Sequence, residues 1–454
     1  MSKRKLTTNP IYYLKKPAAE NVNASRLRAV FSSDRDSFRK IILSANELKY
    51  IYWDKFQYKP LSGDLTAEEQ WMLVKLYRDT AYLETPIRSK ENKYFKWIRL
   101  PAVDETLHKI DMLVGGQLFP RSNVPLGDRE MYINRGVIEE AIASSQLEGA
   151  HTTRAAAKEI ILEKRKPRNK SEQMIVNNYK AMKALEEDFK DRKLSEDFLF
   201  ELHSILTDEV INKNEQKRFR KDADDIVVEG DIGTKTYTTQ VPPNEQFLKR
   251  EIKRLIGYAN DELEGKFTHP IIKAIFIHFW FAYLHPFTDG NGRIARALFY
   301  WYLLKHDYWT FTYLPISAVI KKSPIQYAMA YIYSEQDSED LTYFLDYNMR
   351  KVVQSISDFE DYVEKQIKQN KKVEKIINEK IILNERQKQL VFYFISDQRA
   401  STTTSHSIVN NVARQTAAKD LKKLEDLDLI QTRREGKYVR YYATDKLKSL
   451  AGTR

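Results

Sequence analysis

The chain of 454 residues carries 75 Lys and Arg against 63 Asp and Glu, a formal net charge of +12, and no cysteine. Disulfides, thiolate catalysis and zinc–thiolate sites are therefore excluded. A hydrophobic share of 42% excludes a wholly disordered chain, and only 14 glycines and 14 prolines favour helix over sheet.

The first ten residues are basic but lack an apolar core behind the charges, so no signal peptide is expected. Residues 1–120 read as an N-terminal helical region, with periodic segments at 34–52 and 66–82. Thr66 is the expected N-cap of the second, with Glu69 three residues on. The aromatic stretch from Tyr50 to Phe56 is read as a packing cluster. Turn residues at 121–129 mark a linker. From 132 to 163 the pattern is helical but broken at Gly149, because glycine inside a helix costs about 1 kcal/mol. Ser144 and Glu148, four apart, share one face.

The basic run 163–170 is read as a solvated loop, with an electrostatic patch as the alternative. Helices are expected at 172–189 and 196–210. A hairpin follows at 218–243, where β-branched residues flank a glycine-containing turn. Pro242 and Pro243 end it, and Asn244 caps a helix at 245–262. Residues 270–284 are apolar on nearly all sides, which predicts a buried central helix. His278 within it is read as a hydrogen-bonded core residue, and His269 is given no chemistry. Lys273 and His278 interrupt this run, and it is too short to cross a bilayer, so a cytoplasmic protein without membrane contact is expected. Further helices fill 310–380, the last of them long and increasingly charged.

Between the apolar runs 270–284 and 291–306 stands His285-Pro-Phe-Thr-Asp-Gly-Asn-Gly-Arg-Ile-Ala-Arg296. His285 is the natural proton acceptor near neutral pH. Asp289 offers the hard oxygens that Mg²⁺ prefers. Gly290 and Gly292, with Asn291 between them, allow a tight turn of anion-binding backbone N–H groups at a helix N-terminus. Arg293 and Arg296 are three apart and predicted to face one anion. Together these features point to nucleotide chemistry.

From 384 the pattern becomes helix, helix, helix and a hairpin around Gly436, the order of a winged helix-turn-helix. Arg414, Gln415 and Lys419 open the third helix, where base contacts usually originate. This stretch holds 14 Lys and Arg against 8 Asp and Glu, half of the excess positive charge of the chain. DNA contact and packing or dimerisation are alternative roles for it.

The run 285–296 resembles the signature of the Fic family, His-x-Phe-x-(Asp/Glu)-Gly-Asn-Gly-(Arg/Lys)-x-x-Arg, at every fixed position. Ser144–Gly149 resembles the family's inhibitory (Ser/Thr)-x-x-x-Glu-(Gly/Asn) segment in the class that carries it N-terminal to the core. The resemblance implies a mainly α fold, with a Fic helical core at 121–335 that includes the inhibitory helix and a β-hairpin flap. It is flanked by the N-terminal region, a helical connector at 336–383 and a winged helix-turn-helix at 384–454.

The implied function is protein adenylyltransferase: AMP moves from ATP to a Tyr, Thr or Ser hydroxyl of a target protein docked along the flap at 224–241. His285 is implied as base and Asp289 as the Mg²⁺ holder. Gly290, Asn291, Gly292 and Arg293 bind phosphates, and Arg296 grips the γ-phosphate unless Glu148 holds it. Phe287 is expected to point inward. The family's usual glycine ahead of the flap arginine is replaced by Lys217-Arg218, which puts the loop geometry in question. Another nucleotide donor, removal of AMP, or a nucleotide-sensing DNA-binding regulator are the alternatives. A homodimer is compatible with all of them.

Overall fold

The computed structural model describes residues 9–18, 22–47, 49–60, 62–114, 129–263, 267–376, 381–396, 400–435 and 438–450. Residues 121–128 of the linker expected at 121–129, the turn at Gly436 and the junction at 120/121 lie outside the described residues, while Arg129 already opens a helix.

Helices α1 (Ala24–Ser33), α2 (Arg35–Asn46), α3 (Trp53–Phe56) and α4 (Ala67–Ala81) form the N-terminal region. Thr66 and Glu69 close a capping box on α4, satisfying two N-terminal backbone donors reciprocally. The helical reading of 1–120 needs one correction. A hairpin of β1 (Tyr82–Arg88) and β2 (Tyr94–Ile98) follows α4 directly. Its aromatic and β-branched residues suit a pleated surface that buries Ile87, Phe95 and Trp97 on the core. Tyr50, Tyr52, Trp53 and Phe56 are all buried, as a packing cluster should be.

Next come α5 (Pro101–Val114), α6 (Arg129–Leu147), α7 (Arg154–Leu162), α8 (Lys170–Ala184) and α9 (Glu196–Thr207). The second hairpin, β3 (Val228–Ile232) with β4 (Lys235–Gln240), leads to α10 (Glu245–Ala259), α11 (Pro270–Leu284) and α12 (Asn291–Lys305). Two shorter helices, α13 (Ile316–Ile320) and α14 (Pro324–Gln336), precede the long α15 (Thr342–Ile376).

Every residue of α11 from Ile271 to Phe281 is buried, and α12 packs alongside it as the other half of the centre. One apolar core runs from Leu14 to Val363, so the N-terminal region, the central helices and the first part of α15 pack as one body. Buried Arg78 ties them together, donating to Asn46 Oδ1, Tyr343 Oη and two backbone carbonyls while lying 3.7 Å from the Tyr50 ring centroid.

The C-terminal unit comprises α16 (Glu385–Ser396), α17 (Thr403–Asn410), α18 (Arg414–Asp426), the hairpin β5 (Ile430–Glu435) and β6 (Tyr438–Ala443), and α19 (Asp445–Leu450). It has its own apolar cluster, including Leu390, Phe394, Leu421, Leu424 and Leu447. Among the described residues, no helix is long and apolar enough to cross a membrane.

Candidate active site

The loop between α11 and α12 is built by local chemistry. His285 ends α11 in the left-handed conformation (φ +48°), a costly backbone for a residue with a Cβ, while its N–H still donates to Phe281 O at 3.1 Å. Phe287 is fully buried, turned inward as expected, with its ring stacked on His203 at 3.9 Å. Asn291 closes the turn with two bonds. Its Oδ1 accepts from Phe287 N–H and its Nδ2 donates to Phe287 O, both at 2.8 Å. Gly290 (φ +86°) makes the left-handed corner from which α12 starts.

Two segments outside the loop hold His285 and its neighbours. Arg220, just before the second hairpin, donates from Nε to His285 O at 2.7 Å and from its backbone N–H to Pro286 O at 2.8 Å. Its guanidinium also reaches Leu284 O and Pro243 O. Burial, and next the nearby Arg220 charge, lower the His285 pKa to about 4. The ring is therefore neutral at pH 7, the form that can accept a proton. His203 Nε2 lies 3.2 Å from the Asp289 carbonyl, and burial likewise depresses its pKa to about 4.

Arg220 and His203 carried no assignment from the sequence. Arg220 stood in a basic stretch, and His203 sat on the apolar face of α9 beside Leu199 and Leu206. Lys217 adopts φ +53°, the left-handed conformation that a glycine would take more freely.

The two loop arginines are drawn to different partners. Arg293 is fully buried, donating to Leu206 O at 2.7 Å and to Asp289 Oδ1 at 3.1 Å. Arg296 faces α6. It donates from Nε to Ser144 Oγ at 2.9 Å, and from Nη2 to Ser144 O at 3.0 Å and Glu148 Oε1 at 2.9 Å. The predicted convergence of both on one anion is thus absent from this arrangement.

Glu148 lies just past the end of α6, where Gly149 (φ +85°) breaks the helix. Its carboxylate stands so close over Gly292 that a Cβ there would overlap it. A negative group at the N-terminus of α12, beside an arginine, sits where backbone N–H groups and the helix dipole favour an anion.

Behind this contact, buried Glu140 accepts from Tyr300 Oη at 2.9 Å and Ser317 N–H at 2.8 Å, and it also bonds the Ser317 hydroxyl. Glu140 and Ser144 lie one turn apart on α6, as Arg296 and Tyr300 do on α12, so the two helices are joined by two polar rungs. His278 is a core residue, 2.8 Å from Tyr327 Oη, and burial lowers its pKa to about 3.

The donor set suits a polyphosphate with a hard cation. Thr288 Oγ1 and Arg293 Nε are buried without a protein partner. The Asp289 carboxylate is 37% exposed, with Oδ2 4.0 Å from Lys170 Nζ. A single accessible carboxylate beside phosphate-binding groups is the usual protein share of a Mg²⁺ site.

The second hairpin stands next to the loop, with Gln240 Nε2 donating to Tyr283 O at 3.0 Å. Its β4 edge is already paired. Tyr12 N–H donates to Thr238 O, and Thr238 N–H donates to Pro10 O, both at 3.0 Å. Among the described residues, no strand pairs with the outer edge of β3.

With this geometry in place, residues 193–303 match the model of the Fic/DOC family. The chain contains a Fic/DOC family domain. The match takes in α9, the second hairpin, α10, α11, the loop and most of α12, and begins downstream of Ser144–Gly149. A 67-residue stretch is 37% identical to protein adenylyltransferase fic-1 of Caenorhabditis elegans. A 61-residue stretch is 43% identical to protein adenylyltransferase Fic of Nematostella vectensis. Each stretch covers 13% of this chain and 13% of the relative. A Fic family protein from Desulfovibrio desulfuricans G20 aligns with a TM-score of 0.47 at 19% identity, over 76% of this chain and 97% of that one.

Proposed function

We propose that the Fic domain is a protein adenylyltransferase held in an inhibited state by Glu148. The observation that carries this reading is the Glu148 carboxylate lying on Gly292 and paired with Arg296, beside a neutral, clamped His285. An anion-binding site filled by the protein's own carboxylate makes sense where a phosphate must otherwise bind.

In the reaction, a Tyr, Thr or Ser hydroxyl oxygen attacks the α-phosphorus of ATP, and the bond to the bridging oxygen of the β-phosphate breaks. The hydroxyl proton passes to His285. AMP stays on the target as a phosphodiester, and pyrophosphate leaves. Arg220 aims the imidazole, Asn291 locks the turn, and the Gly290–Gly292 backbone cradles phosphate. Asp289 would hold Mg²⁺, which when bound neutralises phosphate charge. Arg293 adds a fixed positive charge under the loop. Arg296 takes the γ-phosphate once Glu148 leaves it.

The target docks as an added strand on the outer edge of β3, because residues 10–12 occupy the β4 edge. The C-terminal unit is a winged helix-turn-helix whose α18 carries exposed Arg414, Gln415 and Lys419 toward DNA.

Incubation with ATP labelled at the α-phosphate tests the assignment. Glu148→Gly is expected to raise self-labelling at least about tenfold, the scale of one lost charge-assisted contact. His285→Ala in that background removes it while circular dichroism stays unchanged. Persistent labelling without His285, or transfer of the γ-phosphate label instead, overturns the reading.

A further inference from the structure

The C-terminal unit rests on the helix that carries Glu148. Helix α17 packs on α6 and α7, and Ile408 joins the apolar cluster of Ile138, Ile142, Ala157, Ile161 and Ile175. At about 100° per residue, Ile138 and Ile142 lie nearly opposite Glu140 and Ser144 around α6. One side of this helix is therefore bound to α12 through polar rungs, and the other is covered in part by the C-terminal unit.

A second contact closes the joint. Arg440 of β6 lies 3.5 Å from Glu163, the first residue after α7. Glu163 opens the basic loop, in which Lys164, Lys166 and Arg168 are exposed. The loop ends at Lys170, whose ammonium lies 4.0 Å from Asp289. On the other side of the joint, Arg433 and Arg434 are exposed on β5, as are Arg414 and Lys419 on α18.

Exposed basic residues thus belong to both parts that the Arg440–Glu163 pair joins. A polyanion that reaches both segments draws them together by neutralising their positive charge. Regularly spaced phosphates of a duplex, with α18 placed as a recognition helix, match this arrangement better than an acidic peptide does.

We propose that duplex DNA binds across the joint, to the C-terminal unit and the 164–168 loop together, and so clamps α17 onto α6 and keeps the enzyme silent. DNA that contacts both parts favours the docked arrangement, and by linkage it favours the Glu148–Arg296 pairing that α6 carries. The inference rests on the reading of Glu148 as the inhibitor.

Hydrogen exchange at residues 138–148 of the full chain, with and without a short random-sequence duplex at low salt, reads docking without reference to activity. Duplex is expected to slow exchange there and to lower residual self-labelling about fivefold or more, the lower end of usual coupling. Ile408→Asp speeds exchange at 138–148, raises labelling and abolishes both effects of DNA, while exchange in 270–284 stays unchanged. Should Ile408→Asp also disturb 270–284, the charge reversal at half-buried Arg440, Arg440→Glu, serves instead, with the same direction and a smaller effect.

Unchanged or faster exchange on adding duplex overturns the proposal, as does binding of single-stranded RNA alone. Normal exchange at 138–148 in both variants does the same. A Glu148→Gly variant that fails to label anything while these exchange effects appear defeats the transferase reading and leaves the docking intact.

Discussion

His285 shows how one residue's chemistry is fixed by neighbours far away in sequence. Its backbone is held in a strained conformation by Arg220, which grips the carbonyls of Leu284, His285 and Pro286. The same guanidinium is the second cause, after burial, of the depressed imidazole pKa. Arg220→Gln is therefore expected to lower kcat by about 10–100-fold, the effect of misplacing a reacting group. ATP affinity should stay within about twofold, since Arg220 touches no phosphate-binding group. The acid limb of the pH–kcat profile should also move to higher pH, because a positive charge has left the imidazole. A fall in ATP affinity at constant kcat would instead make Arg220 a binding residue.

The loop itself was legible because its chemistry lies in consecutive residues. Arg220 and His203 were not, because their partners are backbone carbonyls that only folding brings near.

At the scale of elements, the proposed switch is the joint between α6 and α12. Its break was legible in Gly149, whose left-handed backbone ends α6, and in the four-residue spacing that puts Ser144 and Glu148 over Arg296. The upper rung was not legible. Glu140 is a buried carboxylate, its pKa raised chiefly by burial, and its partners Tyr300 and Ser317 look like ordinary core and loop residues in sequence. Replacing it leaves the Ser317 N–H and hydroxyl without their acceptor, at about 1–3 kcal/mol for a buried unsatisfied group.

Glu140→Ala is thus expected to lower Tm by a few degrees and to raise self-labelling, though less than Glu148→Gly does, because the lower rung remains. Wild-type labelling in a destabilised Glu140→Ala protein would show that Glu140 supports the fold without holding the switch. The β1–β2 hairpin escaped the sequence reading for a different reason. The helical period of α4 runs straight into Tyr82, and Pro86 masks the alternation of a short strand.

Across the whole molecule, one core from Leu14 to Val363 lies around histidines that burial holds in the neutral form. His278 sits in the middle of it, with its pKa lowered to about 3 by burial first and by the Arg296 charge second. His203, under the loop, is lowered to about 4. Unfolded, both groups bind protons below their ordinary value of about 6.5. Between that value and about 3–4 the unfolded chain thus holds more protons than the native one, and stability rises with pH across this window. The contribution is fully present above about pH 6.5 and is lost as pH falls toward the native values.

At pH 4.5 the cost from His278 alone is on the order of 2–3 kcal/mol relative to pH 7. Glutamine there can still bond Tyr327 but cannot take up a proton. Urea unfolding of wild type and His278→Gln at both pH values isolates the term, whatever the substitution does to stability at pH 7. The variant is expected to lose less stability than wild type between pH 7 and 4.5, by roughly 2 kcal/mol. Parallel losses would mean that acid sensitivity comes from the paired carboxylates instead, with His278 contributing packing alone.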